Sequence, residues 1–150
     1  MTDLIVPAPL WRRLIAGLYD ALLLAGMWMC AAWALVVAAS LGGWELKRVV
    51  SQGIYFGIGL FFYGWFWTHG GQTLGMRVWR LQVRRLDGAQ LRWPIAVLRY
   101  SAAWFSLMIL GLGFLWSLLD GQRRTWHDLL SGTEMVQLPK PPKPGNAGAD

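Results

Sequence analysis

Three apolar runs dominate the chain and leave few folds open to it. Residues 14–41 carry one charge, Asp20; residues 49–68 carry none; residues 95–119 carry one, Arg99. At ~1.5 Å of rise per residue, each run is long enough to cross the ~30 Å hydrocarbon core of a bilayer as a helix. Together they take up 73 of the 150 residues, so too little polar chain remains to wrap three such helices into a water-soluble globule. With 55% apolar and 15% charged residues, a soluble enzyme, a disulfide scaffold and a disordered chain are disfavoured. The pattern predicts an all-α membrane protein with two transmembrane helices and a third helical segment that either spans or re-enters.

The 14 Lys and Arg residues against 8 Asp and Glu give a net charge of +6. In a membrane protein such an excess belongs on loops facing the anionic cytoplasmic leaflet. Nucleic-acid binding is disfavoured, because the basic residues flank apolar spans and form no domain of their own. Arg12 and Arg13 precede the first run and anchor a cytoplasmic N-terminus. That run is nearly twice as long as the apolar core of a cleaved signal, so it reads as a retained span of an inner-membrane protein. Cys30 is the single cysteine and lies inside the run, which excludes an intrachain disulfide.

Residues 1–8, with Pro7, read as an irregular lead-in to a membrane domain over residues 9–138. Gly42 and Gly43 end the first run. In the second, Gly53 and Gly57 form a GxxxG pair that lets another helix approach closely and fits a homo-oligomer or a partner membrane protein. Residues 68–94 are the longest polar segment inside the domain. There Trp79, Leu81 and Val83 alternate with Arg80, Gln82 and Arg84, Asp87-Gly88 offers a two-residue turn, and Leu91 and Trp93 continue the apolar face. This predicts a short interfacial β-hairpin between the second and third helices, with Arg77, Arg80, Arg84, Arg85 and Arg92 against lipid head groups. The glycine-rich stretch at residues 70–75 lacks the Lys-Ser/Thr of a phosphate loop and reads as a membrane-exit turn capped by Gln72 and Thr73.

Gly111 and Gly113 mark a break in the third run. A re-entrant third run gathers 11 basic residues on one side against 2, with Lys47 and Arg48 opposite, whereas a full crossing divides them 7 against 6. The positive-inside rule favours re-entry. Residues 126–130 can form one interfacial helical turn, and residues 139–150, rich in Pro, Lys and Gly, form a disordered tail.

Asp20 is the most informative residue. A carboxylate in a span costs on the order of 2.5–3.5 kcal/mol to bury and needs a partner or a cation. Arg13, two turns earlier on nearly the same face, and Arg99, at a similar depth, are the candidates. A staple between helices and a proton or cation site are both open. His127, Asp128 and Ser131 share one short turn and cannot converge as a catalytic triad. His69 and His127 have no cysteine beside them, so neither a metal site nor a cofactor is expected, and the chain reads as no enzyme.

Four motifs in order resemble the RDD family of small bacterial integral membrane proteins, named for one arginine and two aspartates. They are WRRLIAGLYD at residues 11–20, GQTLGMR at 71–77, LRY at 98–100 and RRTWHDLLSGT at 123–133. By position Arg13 and Asp20 match the family's arginine and first aspartate. Asp128 matches the second, with Asp87 and Asp120 as alternatives. Met76 stands where the pattern usually has a lysine. The resemblance implies a role that is largely undefined in the family, with transport of unknown ligands proposed and sodium/proton exchange claimed for some members. The expectation is an oligomeric cation/proton carrier with Arg13, Asp20, Arg99 and Asp128 as its ion site. The rival is a non-transporting adaptor whose basic segments hold lipid head groups or a partner protein.

Overall fold

The first apolar run folds as α1, Leu10–Gly42, and the second as α2, Arg48–Thr68. Both are long and apolar enough to cross a membrane. The structure, a computed structural model, describes residues 6–42, 48–109, 111–122 and 124–139. The 139–150 tail beyond its first residue, the first five residues of the lead-in, Gly43, Lys47, Arg123, Lys140 and Lys143 therefore lie outside the described residues.

The buried positions of α1 are Arg13, Ala16, Asp20 and Leu24, all in its N-terminal half and on one face. Those of α2 are Gly59, Phe62, Gly64 and Trp67, in its C-terminal half. The two helices pack on each other, so these halves lie at the same end of the molecule, and the rest of the chain gathers there. Their remaining surface is apolar and exposed, as lipid-facing helices require. The close approaches to α2 are at Gly59, against Tyr100, and Gly64, against Trp93. Nothing described here comes within 4 Å of a side chain built at Gly53 or Gly57, so the GxxxG pair takes no part in packing within the chain.

The third run breaks where its glycines fall. Helix α4, Trp93–Met108, opens with Pro94 in its first turn, a place where the missing N–H costs nothing. It ends before Gly111, whose φ of 73° is left-handed and ordinary only for glycine. A short α5, Leu112–Leu115, continues as a 3-10 turn over Trp116–Leu118, and this arm is bent by 106° from α4. The arm returns to pack on α4, and the rings of Phe114 and His127 lie 4.9 Å apart. A broken run, as the glycines predict, is what the chain forms.

The polar segments build a headpiece on this end. A short α3, Leu74–Val78, leads into β2, Leu81–Arg85. After α6, Trp126–Ser131, comes β3, Thr133–Gln137. The hairpin expected within residues 68–94 forms its turn but not its second arm. Arg85 N–H donates to Ala89 O at 3.0 Å, yet β2 pairs antiparallel with β3, from Leu81 opposite Gln137 to Arg85 opposite Thr133. The reason is Pro94, which starts α4 and commits the residues beside it to helix entry. The alternation itself holds: Leu81 and Val83 are buried, and Leu91 joins the same core. The lead-in is also ordered by β3. Val6–Pro7 form β1, an edge strand on which proline is tolerated, and Ala8 is fully buried. The sheet order is β1-β3-β2.

Candidate functional site

Asp128 lies at the centre of the headpiece with no exposed surface. It is the third residue of α6, and its Oδ2 accepts the Thr125 N–H at 3.0 Å, the return half of a capping box, as well as the Thr125 hydroxyl at 2.8 Å. Two guanidiniums converge on it. Arg13 Nη1 stands 2.8 Å from Oδ2, and Arg99 Nη1 stands 2.5 Å from Oδ1. Arg13 also donates to the backbone oxygens of Ala8, at 3.0 Å, and Met135, at 3.2 Å. Arg99 donates to the Thr133 hydroxyl, and its guanidinium lies 5.2 Å from the Trp67 ring centroid, a cation–π contact. One carboxylate thus joins α1, α4 and α6, and its arginines reach on to β3.

Burial alone would push the Asp128 carboxyl up, but the charges of Arg99 and Arg13 and the Thr125 N–H outweigh it and hold the group well below the usual carboxylate range. His127 is pushed down to about 3, first by burial and then by Arg99, against the pull of Asp128. It is therefore a neutral imidazole at physiological pH. Its Nε2 lies 2.9 Å from Thr125 Oγ1. Because that hydroxyl gives its proton to Asp128, Nε2 is the protonated nitrogen, and Nδ1 has no partner among the described residues.

Asp20 is as deeply buried as Asp128 but meets neither arginine in an ion pair. Its Oδ2 accepts the Thr73 hydroxyl at 2.5 Å and its Oδ1 the Gly75 N–H at 2.9 Å. Thr73 is the N-cap of α3 and accepts from Met76 N–H at 3.2 Å, so Asp20 sits at the start of that helix, where backbone donors favour an anion. Glycine is required at position 75: a Cβ there would fall 2.2 Å from Ala16 O, inside the α1–α3 contact. The expected partners of Asp20 are thus corrected, since both arginines are taken by a carboxylate from the far end of the chain.

Asp20 and the Asp128 clamp nevertheless share a cavity of about 290 Å³, lined by Arg13, Asp20, Trp67, Arg99, Tyr100 and His127 among others. Its walls are mostly apolar and aromatic. Among the described residues no three His, Cys, Asp or Glu side chains group to hold a metal ion. Asp87 pairs instead with Arg85 at 2.9 Å and caps its own turn through Ala89 N–H. Asp120 pairs with Arg124 at 3.4 Å, and its carboxyl is held low chiefly by the Arg124 N–H. Neither meets Arg13, which leaves Asp128 as the aspartate in the clamp.

The five loop arginines divide. Arg84 binds Glu134 at 2.8 Å and Arg85 binds Asp87, whereas Arg77, Arg80 and Arg92 make no ion pair among the described residues. Thr125, Thr133 and Gly75 are the site residues that the sequence reading did not single out. The Thr-x-x-Asp spacing at 125–128 is the signal that would have found the first.

The fold and this clamp define a class: a small polytopic membrane protein whose long helices carry a buried Arg–Asp–Arg headpiece at one end. The chain belongs to the RDD family, whose model matches residues 7–132. Comparison with curated proteins and with solved structures finds no significant match.

Proposed function

We propose that the protein works in transport, as an oligomeric cation/proton carrier of the cytoplasmic membrane, with its N-terminus and headpiece on the cytoplasmic side. The observation that supports this is the state of Asp20. It is fully buried, lines the cavity, and is held by two neutral donors with no ion pair among the described residues. Uptake of a proton or a small cation cancels a buried charge that no ion pair among the described residues meets. Asp128 cannot serve in this way, because two arginines fix it as an anion. Arg13, Arg99 and Asp128 are on this reading the frame of the site and Asp20 its exchangeable group. Two long helices and one broken run do not enclose a path, so copies of the chain must associate, and the open GxxxG face of α2 is a suitable contact.

The orientation rests on the exposed Arg77 and Arg92 and the half-buried Arg80, which make no ion pair among the described residues and can meet anionic head groups. The same three residues support a second reading, a non-transporting adaptor held to lipid or a partner by its basic headpiece. Reconstituted vesicles with a trapped pH dye separate the two. A sodium, lithium or potassium pulse should change the internal pH with the wild-type protein and not with Asp20→Asn. If none of the three cations moves protons with wild type, the carrier reading is wrong.

A further inference from the structure

The cavity beside Asp20 has a side entrance from the bilayer. Helices α1 and α4 both pack on α2, whose Tyr63 and Trp67 form part of the cavity floor. Below the clamp its α1 wall runs from Gly17 to Trp28, which is ~16 Å of helix. One leaflet of a ~30 Å hydrocarbon core is about that deep. Gly17 and Ala21 on this wall and Leu107 on the α4 wall are exposed, and nothing lies within 4 Å of a side chain built at Gly17. They mark a mouth between the two helices. Because α1 is long and apolar enough to span and its free surface is apolar, the mouth opens on lipid rather than on water.

The lining decides what can enter. Asp20 has no exposed surface, and Arg99 Nε, Trp67 Nε1, Tyr100 Oη and His127 Nδ1 are buried away from the cavity, so none of these groups meets a guest. The guest must be apolar. An apolar cavity of ~150 Å³ takes a benzene ring, so one of 290 Å³ holds roughly twelve carbons. Spread over ~16 Å, that bulk is one extended chain and not a compact body or two chains. An empty space of this size forfeits the packing contacts of its walls, and a lipid tail is as apolar as the leucine it would touch.

We propose that the cavity is a binding site for one acyl chain of a bilayer lipid, drawn from the leaflet on the headpiece side and entering sideways between α1 and α4. The chain lies along α1 from Gly17 toward Trp28, and its head group stays outside the mouth, at the level of the first turns of α1. Lipid chains and a spanning helix both run broadly along the bilayer normal, so the chain enters without turning. Gly17 and Ala21 keep the mouth open, because larger side chains there would project into it. A filled slot keeps water from reaching Asp20 from the membrane side. The site does not depend on whether Asp20 exchanges an ion.

The test is photolabelling of the full chain in nanodiscs of phosphatidylethanolamine and phosphatidylglycerol, doped with a phosphatidylcholine that carries a diazirine midway along one acyl chain. Adducts are mapped by residue. Leu22 and Met29 are exposed on α1 and should be labelled as any lipid-facing residue is. Leu24 and Tyr100 line the cavity and are more than nine-tenths buried, so a chain reaches them only from inside. They should be labelled too. Gly17→Leu fills the mouth and should cut the adducts on Leu24 and Tyr100 at least fivefold, with those on Leu22 and Met29 unchanged. Ala21→Phe should do the same from one turn deeper, and thermal unfolding shows which of the two variants is folded and can be read. The proposal is overturned if adducts are confined to Leu22 and Met29, or if labelling of Leu24 and Tyr100 survives a folded mouth variant. It is also overturned if 3-trifluoromethyl-3-phenyldiazirine labels those two residues and the lipid probe does not, because the cavity then takes a compact body. Cation-driven pH change in vesicles reads Asp20 alone, so either reading can fail while the other stands.

Discussion

Asp20 and Asp128 are both without exposed surface and differ in the cations beside them. Asp128 is met by two guanidiniums, a backbone N–H and a hydroxyl, whereas Asp20 is met by one hydroxyl and one backbone N–H. The comparison shows that burial does not by itself mark a working carboxylate. The number of fixed cations beside it separates a clamp from a group able to change its charge. It also separates the two arginines from the role that depth along a helix suggested, because both spend their charge on the clamp.

The same substitution at the two sites should break the symmetry most visibly. Asp128→Asn leaves two buried guanidiniums facing a neutral amide, and breaking a buried pair costs about 3–5 kcal/mol. Thermal unfolding in detergent should show the largest loss of any single change here. Next comes Gly75→Ala, whose Cβ drives into Ala16 O and must push α3 from α1, an overpacking cost of about 1–3 kcal/mol. That variant tests the Asp20 cradle without altering a charge.

A pH titration sharpens the clamp side. His127 is held near 3 in the folded chain against about 6.5 unfolded, so between these values the unfolded state binds the extra proton. Stability is therefore full above pH ~6.5 and falls by up to ~1.4 kcal/mol per unit as pH drops below it. Unfolding midpoints at pH 7 and 5.5 should show that slope in wild type, and His127→Gln should remove it. Asp128 itself adds an acid loss only below the ordinary carboxylate range, because its folded value is depressed. The smallest effect is expected from Asp20→Asn. It keeps one acceptor for two donors and should shift stability by no more than about 1 kcal/mol while ending cation-driven pH change. A loss as large as that of Asp128→Asn would make Asp20 a second clamp.

Much of this was legible in the sequence, and what was not has an identifiable cause. Apolar run length gave α1 and α2, and Gly111 gave the break in the third run, because those signals are local. Asp20 and Arg99 stood out as the charges inside apolar runs, and Arg13 and Asp128 by their places in the family motifs. Their pairing did not, because depth along a helix ranks neighbours within the membrane and says nothing about a segment 115 residues away folding back onto Arg13. Strand β2 was readable from the alternation of Leu81 and Val83, but not its partner. In β3 both Met135 and Val136 are buried, which blurs a two-residue period over five positions. The Asp87-Gly88 turn was a true local signal joined to the wrong second arm.

The central position of β3 sets an order of events during synthesis. Arg13 emerges from the ribosome 115 residues before Asp128, an interval of roughly 6–23 s at ordinary elongation rates. The strand that binds β1 and β2 comes later still. Helices α1 and α2 are therefore made before the aspartate of the clamp, and the headpiece closes only when Thr133–Gln137 has been made. Until then the nascent chain presents a pair of long apolar helices whose headpiece still lacks its central strand.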